Sequence, residues 1–186
     1  MNILWDFDGT LFNTYPAHTK IFKNVLGNDI AEEAIYKQLK ISFRHAIEYF
    51  QLTKDQVETT NRLGSEISPA DVPPFPYVED ILKYADKNVI LTHKPRVGVD
   101  TILDYYGWNH YFKEIVTIDN GFPRKPDPSS YAYLHKSHQL DLVVGDRVLD
   151  ILPGKQLGIK TCLFENNEPG ADYYLNDYRE WMSVLL

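Results

Sequence analysis

Two aspartates lie two residues apart near the start of the chain, in the segment ILWDFDGTLFNT of residues 3–14. Side chains at this spacing leave an extended backbone on the same face, so the carboxylates of Asp6 and Asp8 are expected to be neighbours. Neighbouring like charges repel unless a positive group lies beside them, so the pair predicts a cationic partner at the end of a buried strand. The alternative is an Asx-type turn that closes the strand, with Asp6 in a surface ion pair.

Polar residues that could bind a phosphate follow a second predicted strand, in the segment ILTHK. The Thr92 hydroxyl and the first amides of the next helix could together hold a phosphate oxygen, with His93 and Lys94 beside them. A helix-capping threonine with a solvent-facing histidine and lysine is the alternative. Farther along, the loop GFPRKPDP contains Lys125, and a lysine in a loop is usually solvated.

A second pair of aspartates lies in the segment VVGDRVLD. Asp146 follows a glycine at the end of a predicted strand, and Asp150 lies four residues later, one helical turn away on the same side. Carboxylates so placed are either a charge pair at a helix N-terminus or ligands of a hard cation. The residues alone leave both interpretations open.

The elements that must position these residues follow an alternating pattern in the second part of the chain. Helix-like segments lead in turn to the short apolar runs NVILT, EIVTID, LVVGD and TCLFE. Strands that are apolar on both faces are typical of a parallel sheet covered by helices on both sides. The first strand, residues 3–8, must join that sheet because it has no other partner. We therefore predict an α/β fold with a doubly wound, Rossmann-like parallel sheet.

The part of the chain between the first strand and this pattern shows helical periodicity only. We predict helices over residues 15–26, 31–39, 43–50 and 54–67. Thr53 and Gln56 are predicted to form a capping box at the last of them. The proline-rich segment SPADVPPFPYVED cannot be regular helix or central strand, so it ends the helical part. The predicted domains are an α/β core of residues 1–13 and 76–186 and an all-helical cap of residues 14–75.

The candidate residues are expected to meet at one edge of the sheet. Active sites of doubly wound sheets lie at the carboxyl ends of the strands, and the cap would sit above them. Four consecutive strand ends carry the first aspartate pair, Thr92, Lys125 and the second aspartate pair. This coincidence favours one shared site over four unrelated features.

The composition of the chain excludes several classes of function. The 186 residues are enough for one domain with a modest insertion, and the formal net charge of −7 argues against a binder of nucleic acid or anionic membranes. The one cysteine, Cys162, lies in an apolar run and is expected to be buried and not a nucleophile. The sequence shows no secretory signal and no apolar run long enough to span a bilayer, so we expect a cytoplasmic protein.

The order of these motifs resembles the haloacid dehalogenase-like (HAD) superfamily of phosphohydrolases along essentially the whole chain. Residues 6–10, D-F-D-G-T, are similar to the first motif of the family, Thr92 to the second, Lys125 to the third and GDRVLD to the fourth. Lys94 is a rival for the third, but Lys125 lies between the third and fourth strands, where the family places this lysine. The helical insertion is similar to the small cap of the phosphoglycolate phosphatase and phosphoglucomutase branch. His93 is a departure, because many of these relatives carry asparagine there.

The resemblance implies a Mg²⁺-dependent phosphatase that acts through an aspartyl-phosphate. It makes Asp6 the nucleophile, Asp8 the acid–base group, and Lys125 a positive charge that lowers the pKa of Asp6. The expected ligands of Mg²⁺ are Asp6, Asp146 and the backbone carbonyl of Asp8. Asp150 is expected to orient Lys125 or a water molecule and not to bind the ion.

The resemblance also indicates which residues contact the substrate. The expected substrate-binding residues are Gly9, Thr10, Thr92 and His93. The substrate is expected to be a small phosphorylated metabolite, with phosphoglycolate and sugar phosphates as first candidates. Side chains of the cap would choose among such substrates, and the weak candidates for this role are His18, Arg44 and His45.

Two alternative functions remain open. An aspartate at position 8 favours a phosphate ester, because dehalogenases and phosphonate hydrolases of similar build lack it. A phosphomutase keeps both aspartates, and transfer from a bisphosphate donor would identify it. A catalytically silent binding module on the same fold is the alternative from another class, and the oligomeric state is not readable from the sequence.

Overall fold

The computed structural model describes residues 1–27 and 29–185 of the chain. The chain forms two compact units, one made of Met1–Phe12 with Pro74–Leu186 and the other of Asn13–Pro73. Across the described ranges, the helices are all too short or too polar to cross a bilayer.

The Asn13–Pro73 unit is helical. Its described residues form α1 (Tyr15–Leu26), α2 (Glu32–Ile41), α3 (Phe43–Tyr49) and α4 (Lys54–Ser65). The predicted capping box is confirmed, because the Thr53 N–H donates to Oε1 of Gln56 at 2.9 Å and the Gln56 N–H donates to Oγ1 of Thr53 at 3.3 Å. The apolar core of the unit is formed by buried residues of the first three helices, namely Tyr15, Phe22, Ile35, Leu39 and Ala46.

The other unit contains a parallel sheet with the strand order β3-β2-β1-β4-β5-β6. The strands are β1 (Asn2–Trp5), β2 (Lys87–Leu91), β3 (Phe112–Val116), β4 (Leu142–Gly145), β5 (Lys160–Phe164) and β6 (Tyr173–Leu175). All five pairings in this order are parallel. From β1 to β3 the chain adds strands toward one edge of the sheet, and from β4 to β6 it adds them toward the other edge. The switch point of the sheet therefore lies between β1 and β4, and ligands of such sheets bind there, outside the carboxyl ends of the strands. The predicted fold class is confirmed.

Helices connect the strands and cover the sheet. They are α5 (Val78–Tyr84), α6 (Arg96–Tyr106), α7 (Ser129–His138), α8 (Val148–Gln156) and, after β6, α9 (Trp181–Leu185). The apolar residues of the strands pack with those of the helices in a buried cluster of Leu4, Val89, Leu91, Val116, Tyr131, Leu134, Leu140, Val143 and Ile159. Burying a large apolar side chain contributes about 1.5–3 kcal/mol, so this cluster holds the strand ends in fixed positions.

The predicted third strand is longer than the strand in the structure. The run EIVTID was expected to be extended to its end, but β3 ends at Val116 and a short 3-10 turn follows over Ile118–Asn120. The Thr117 side chain accepts a hydrogen bond from the Asp119 N–H at 3.3 Å, and such local bonds compete with a strand. The three-residue strand β6 was not predicted, because so short a segment carries almost no periodicity.

Cys162 lies in β5 and is fully buried. Burial raises the pKa of its thiol to about 12, so the thiolate form is suppressed at neutral pH. The prediction of a buried apolar cysteine is confirmed. Trp108 and Trp181 are buried as well, so both belong to the core.

Candidate active site

The first pair of aspartates lies in the loop that follows β1. The strand ends one residue before Asp6, whose N–H still donates to the carbonyl of Val144 in β4 at 2.9 Å. The backbone N–H groups of residues 11 and 12 both donate to the carbonyl of Phe7 at 3.1 Å, so the loop closes tightly. Gly9 has a φ of 80°, a left-handed backbone conformation that favours glycine. Asp6 is therefore anchored at the switch point of the sheet.

Lys125 joins the first aspartate pair to the second. Its Nζ donates to Oδ1 of Asp6 at 2.6 Å and to Oδ1 of Asp150 at 2.9 Å. The three side chains are at most 2% exposed, so the alternative of a solvated loop lysine is wrong. Burial by itself lowers the pKa of Lys125, but the charges of Asp150 and Asp6 outweigh it and hold the pKa above its ordinary value.

Asp146 and Asp150 follow β4, and both are buried. One carboxylate oxygen from each of Asp6, Asp146 and Asp150 lies within 4.8 Å of the other two. Gly145 permits this approach, because a Cβ at that position would lie only 2.4 Å from Cβ of Asp150. The glycine of GDRVLD is thus required by the packing of the second aspartate pair.

Arg147 is a site residue that the sequence analysis missed. Its Nε donates to Oδ2 of Asp150 at 3.1 Å and its Nη2 to Oδ1 at 3.2 Å. The same guanidinium lies 3.7 Å from Oδ1 of Asp146 and 3.9 Å from Oδ2 of Asp6. An available signal was the spacing of three residues between Arg147 and Asp150, which places opposite charges together at the start of a helix.

The residues that follow β2 form a turn. The Thr92 N–H donates to the carbonyl of Val116 at 3.0 Å, and its hydroxyl accepts from the Lys94 N–H at 3.1 Å. The helix α6 begins later, at Arg96, without a side-chain cap. The alternative of a helix-capping threonine is therefore wrong.

His93 and Lys94 each contact another candidate residue. Nε2 of His93 accepts from the backbone N–H of Lys125 at 2.9 Å, so this nitrogen carries no proton. Burial lowers the pKa of His93 to about 3, and the charge of Lys125 acts in the same direction, so the ring is neutral at neutral pH. Nζ of Lys94 lies 3.1 Å from Oδ1 of Asp8. Lys94 and Lys125, the two candidates for the third motif, thus pair with different aspartates of the first motif.

The ionisation of Asp6 differs from the expectation. Burial raises the pKa of Asp6 to about 7, and the charge of Asp150 acts in the same direction against Lys125 and Arg147. The charge of Lys125 thus lowers the pKa of Asp6 as expected, but burial and Asp150 outweigh it, so the net pKa is raised and not lowered. Burial also acts on Asp150, but Arg147 and Lys125 outweigh it and lower the pKa of Asp150 to about 2. A further positive charge beside Asp6 would favour its ionised form.

The donor set fits a hard divalent cation. Oδ2 of Asp6 is buried and accepts no hydrogen bond from the part of the chain that the structure describes, and Nη2 of Arg147 lies 3.9 Å from it. A buried carboxylate oxygen is costly unless it is paired or coordinates a metal. Oxygen atoms of carboxylates are the ligands that Mg²⁺ prefers, and Asp146 supplies another beside Asp6.

The remaining candidates have contacts of their own. Thr10 is fully buried, and its carbonyl accepts from the hydroxyl of Tyr178 at 2.9 Å.

In the helical unit, the ring of His18 packs edge-on against Phe43, with 4.6 Å between ring centroids. Nε of Arg44 lies 2.8 Å from Oε1 of Glu48, and the Arg44 side chain is 80% exposed. Nε2 of His45 lies 2.9 Å from Oε1 of Gln38.

The fold and the site define a doubly wound α/β protein with buried carboxylates and a buried lysine at the switch point of its sheet. The family of haloacid dehalogenase-like hydrolases matches residues 3–164 of the chain. The chain belongs to this family, and the resemblance drawn from the motifs is confirmed.

Similar proteins include phosphatases of two names. The chain is 28% identical to pyrophosphatase PpaX of Anoxybacillus flavithermus, over 99% of this chain and 94% of that protein. It is 26% identical to phosphoglycolate phosphatase 1 of Pseudomonas aeruginosa, over 85% of this chain but only 66% of that protein. The crystal structure of a hydrolase from Streptococcus pneumoniae TIGR4 is 30% identical with a TM-score of 0.65, over 86% of this chain and 90% of that one.

Proposed function

We propose that the chain is a Mg²⁺-dependent phosphatase that hydrolyses a small phosphate monoester through an aspartyl-phosphate on Asp6. The proposal is carried by the buried contact of 2.6 Å between Lys125 and Asp6, beside the carboxylates of Asp146 and Asp150. Membership in the haloacid dehalogenase-like hydrolases and the phosphatase names of its relatives support it.

Asp6 is the proposed nucleophile. Lys125 holds Oδ1 of the carboxylate, which fixes the orientation of the group toward the substrate. In the first step a bond forms between an oxygen of Asp6 and phosphorus, and the bond between phosphorus and the ester oxygen breaks. The positive charges of Lys125 and Arg147 offset the negative charge of the phosphate and of the buried carboxylates.

Asp8 is the proposed acid and base. It gives a proton to the ester oxygen as that oxygen leaves, and later takes a proton from the water that attacks phosphorus. The bond between phosphorus and Asp6 then breaks, and inorganic phosphate is released. Lys94, at 3.1 Å from Oδ1 of Asp8, orients this carboxylate between the two steps.

The proposed ligands of Mg²⁺ are the carboxylates of Asp6 and Asp146 and the backbone carbonyl of Asp8. Bound there, the ion would supply the charge that neutralises the carboxylates and the phosphate. The raised pKa of Asp6 supports this assignment, because a cation beside the carboxylate favours its ionised form.

Asp150 is proposed to hold the cations of the site in place. Both of its oxygens already accept hydrogen bonds, from Lys125 and from Arg147. A carboxylate so engaged orients these cations and is less available to a metal ion. This division of roles keeps Lys125 between the two aspartate pairs.

The phosphate oxygens are proposed to bind at the loops after β1 and β2. The proposed donors there are the amide of Thr10 and the hydroxyl of Thr92, because the amide of Gly9 already donates to a carbonyl of its own loop at 2.8 Å. Because Nε2 of the neutral His93 accepts from Lys125, its proton lies on Nδ1, which is a further donor.

The substrate is proposed to be a small phosphorylated metabolite of the phosphoglycolate or sugar-phosphate type. The relative named phosphoglycolate phosphatase supports this class. The Asn13–Pro73 unit is proposed to act as the cap that selects it, with His18, Arg44 and His45 as candidate contacts. A cytoplasmic location stays a prediction.

The experiment compares wild type with Asp6→Asn and Asp8→Asn. Turnover of p-nitrophenyl phosphate and an alkyl phosphate is measured with Mg²⁺, and acid-quenched samples are assayed for phosphoryl-enzyme. Asp6→Asn should abolish turnover and labelling. Asp8→Asn should lose about 10²–10⁴-fold, most on the alkyl ester whose leaving oxygen needs a proton, and should accumulate label from the aryl ester.

Other outcomes identify the alternatives. Near-normal turnover by Asp6→Asn would refute the proposed nucleophile. Turnover that depends on a bisphosphate donor and releases no phosphate would identify a phosphomutase. A wild type that turns over no member of a phosphometabolite panel would favour a silent binding module.

A further inference from the structure

We infer that the chain after β5 positions both aspartate loops of the active site, through Tyr178 and Asn166. Both residues lie beyond residues 3–164, the range that the family matches. Each donates a hydrogen bond to a backbone carbonyl of one loop. The kinetic part of this inference rests on the proposed phosphatase function.

Tyr178 fixes the loop of the first aspartate pair. Its hydroxyl donates to the carbonyl of Thr10 at 2.9 Å, and the residue is only 2% exposed. Its ring stacks on Phe164 of β5, with 4.1 Å between centroids and 5° between planes, and forms an edge-to-face pair with Trp5 of β1. Because β1 and β5 hold the ring, the hydroxyl is a fixed donor to the loop.

Asn166 fixes the loop of the second aspartate pair. Its Nδ2 donates to the carbonyl of Asp146 at 2.9 Å, and its Oδ1 accepts from the N–H of Glu168 at 2.9 Å. The planar amide is therefore held at both ends. The preceding residue is tied to the sheet as well, because the Glu165 N–H donates to the carbonyl of Leu175 in β6 at 2.8 Å.

These contacts assign a positioning role and not a chemical one. Both hydrogen bonds go to main-chain carbonyls, so the carboxylates of the loops stay available for the reaction. An error of about 1 Å in the position of a reacting group lowers the rate about 10²-fold, so a bond that fixes a catalytic loop acts on turnover. The Asp146 carbonyl belongs to a proposed Mg²⁺ ligand, so Asn166 acts on metal affinity too.

Tyr178→Phe tests the first contact. This variant removes the hydroxyl and keeps the ring stack. The matched control is Tyr174→Phe, because among the bonds described the Tyr174 hydroxyl accepts only from the nearby amides of Gly170 and Ala171. We expect kcat to fall about five- to tenfold in Tyr178→Phe with KM changed less than about twofold, and no change in the control. Hydrogen exchange of the peptide over residues 6–14 should be faster in Tyr178→Phe alone.

Asn166→Ala tests the second contact. The control is Asn109→Ala, which also removes an asparagine amide, but one that donates to Asp104. We expect Asn166→Ala to bind Mg²⁺ about three- to tenfold more weakly by calorimetry, and the control to bind it like wild type. Each variant is measured well below its melting temperature, so that loss of folding is excluded.

The outcomes separate this inference from the proposed function. Equal kcat and equal exchange in Tyr178→Phe and Tyr174→Phe would overturn the positioning role of Tyr178. Unchanged Mg²⁺ affinity in Asn166→Ala would overturn that of Asn166. An inactive wild type that still shows the expected exchange and Mg²⁺ differences would overturn the phosphatase proposal while supporting the positioning role.

Discussion

The ammonium of Lys94 lies 3.1 Å from Oδ1 of Asp8, and the two side chains are 14% and 16% exposed. Lys125 instead pairs with Asp6 at 2.6 Å, with both side chains at most 2% exposed. The two aspartates of the first motif therefore each have their own lysine. The more deeply buried pair is the one that is expected to matter more for turnover, because charge interactions strengthen as water is excluded.

The two lysines should differ in a matched pair of variants. Lys125→Met removes the charge beside the proposed nucleophile, so we expect a loss of about 10²–10³-fold in kcat on every substrate. It also breaks the buried pair with Asp6, while Asp150 keeps its bonds to Arg147, and this loss should destabilise the fold by about 3–5 kcal/mol. Lys94→Met should lose only about tenfold and little stability, since its pair is less buried. Equal losses in both variants, measured by kinetics and urea unfolding, would contradict this ranking.

Turnover should require a divalent ion, with Mg²⁺ best. Removal of metal by excess chelator should lower activity at least about 10²-fold, and added Mg²⁺ should restore it. Calcium should bind but support little turnover, because its longer and looser coordination misplaces the nucleophile. Mg²⁺ should raise the melting temperature of the wild type and not that of Asp146→Asn. Full activity in chelator after metal removal would contradict the metal site.

The helical unit should govern selectivity and not the chemistry. The exchange of Arg44 and His45 for alanine should change the ranking of phosphometabolites while turnover of p-nitrophenyl phosphate changes little. Both side chains pair only with neighbours of their own unit among the bonds described, so the fold should tolerate the change. Equal losses on every substrate would instead assign these residues a structural or general catalytic role.

Gly145→Ala should disturb the second aspartate pair. The added methyl group would lie 2.4 Å from Cβ of Asp150, so the loop must shift. We expect a destabilisation of about 1–3 kcal/mol and a loss of about 10²-fold in kcat. Gly64→Ala is the control, because its Cβ would meet its nearest neighbour in the helical unit, Cε1 of His18, at an ordinary 3.5 Å. This control should stay active, and a Gly145→Ala enzyme as active as the control would refute the packing argument.

His93 should make the fold more sensitive to mild acid. Burial lowers its pKa to about 3, and Lys125, Arg124 and Arg147 act in the same direction against Asp150. The unfolded chain, with an ordinary histidine pKa near 6.5, binds the proton more readily, so stability falls as the pH drops below about 6.5. His93→Asn lacks this contribution and should lose less stability between pH 7.5 and about 5. Parallel urea-unfolding curves for both proteins over this range would show that His93 is not the cause.

The class of fold and most of the helix bounds were predictable from the sequence. Short strands that are apolar on both faces alternate with helices, and this pattern has one common solution, a parallel sheet between helices. The exceptions have local causes: Thr117 ends β3 early through its side-chain bonds, and β6 is too short to carry a pattern. The chemical types and the chain order of the candidate residues were also readable, because each motif lies next to a strand end.

The partners of those residues were decided by the tertiary structure. Lys125 and Asp6 are 119 residues apart in the chain, and no periodicity reports a contact at such a distance. The assignment of Lys94 to Asp8, the place of Arg147 among three carboxylates, and the bond from Tyr178 to Thr10 are of the same kind. The raised pKa of Asp6 also follows only from the fold, because burial depends on everything packed around the carboxylate. The sequence determined which groups reach the edge of the sheet, and packing decided which of them touch and which are charged.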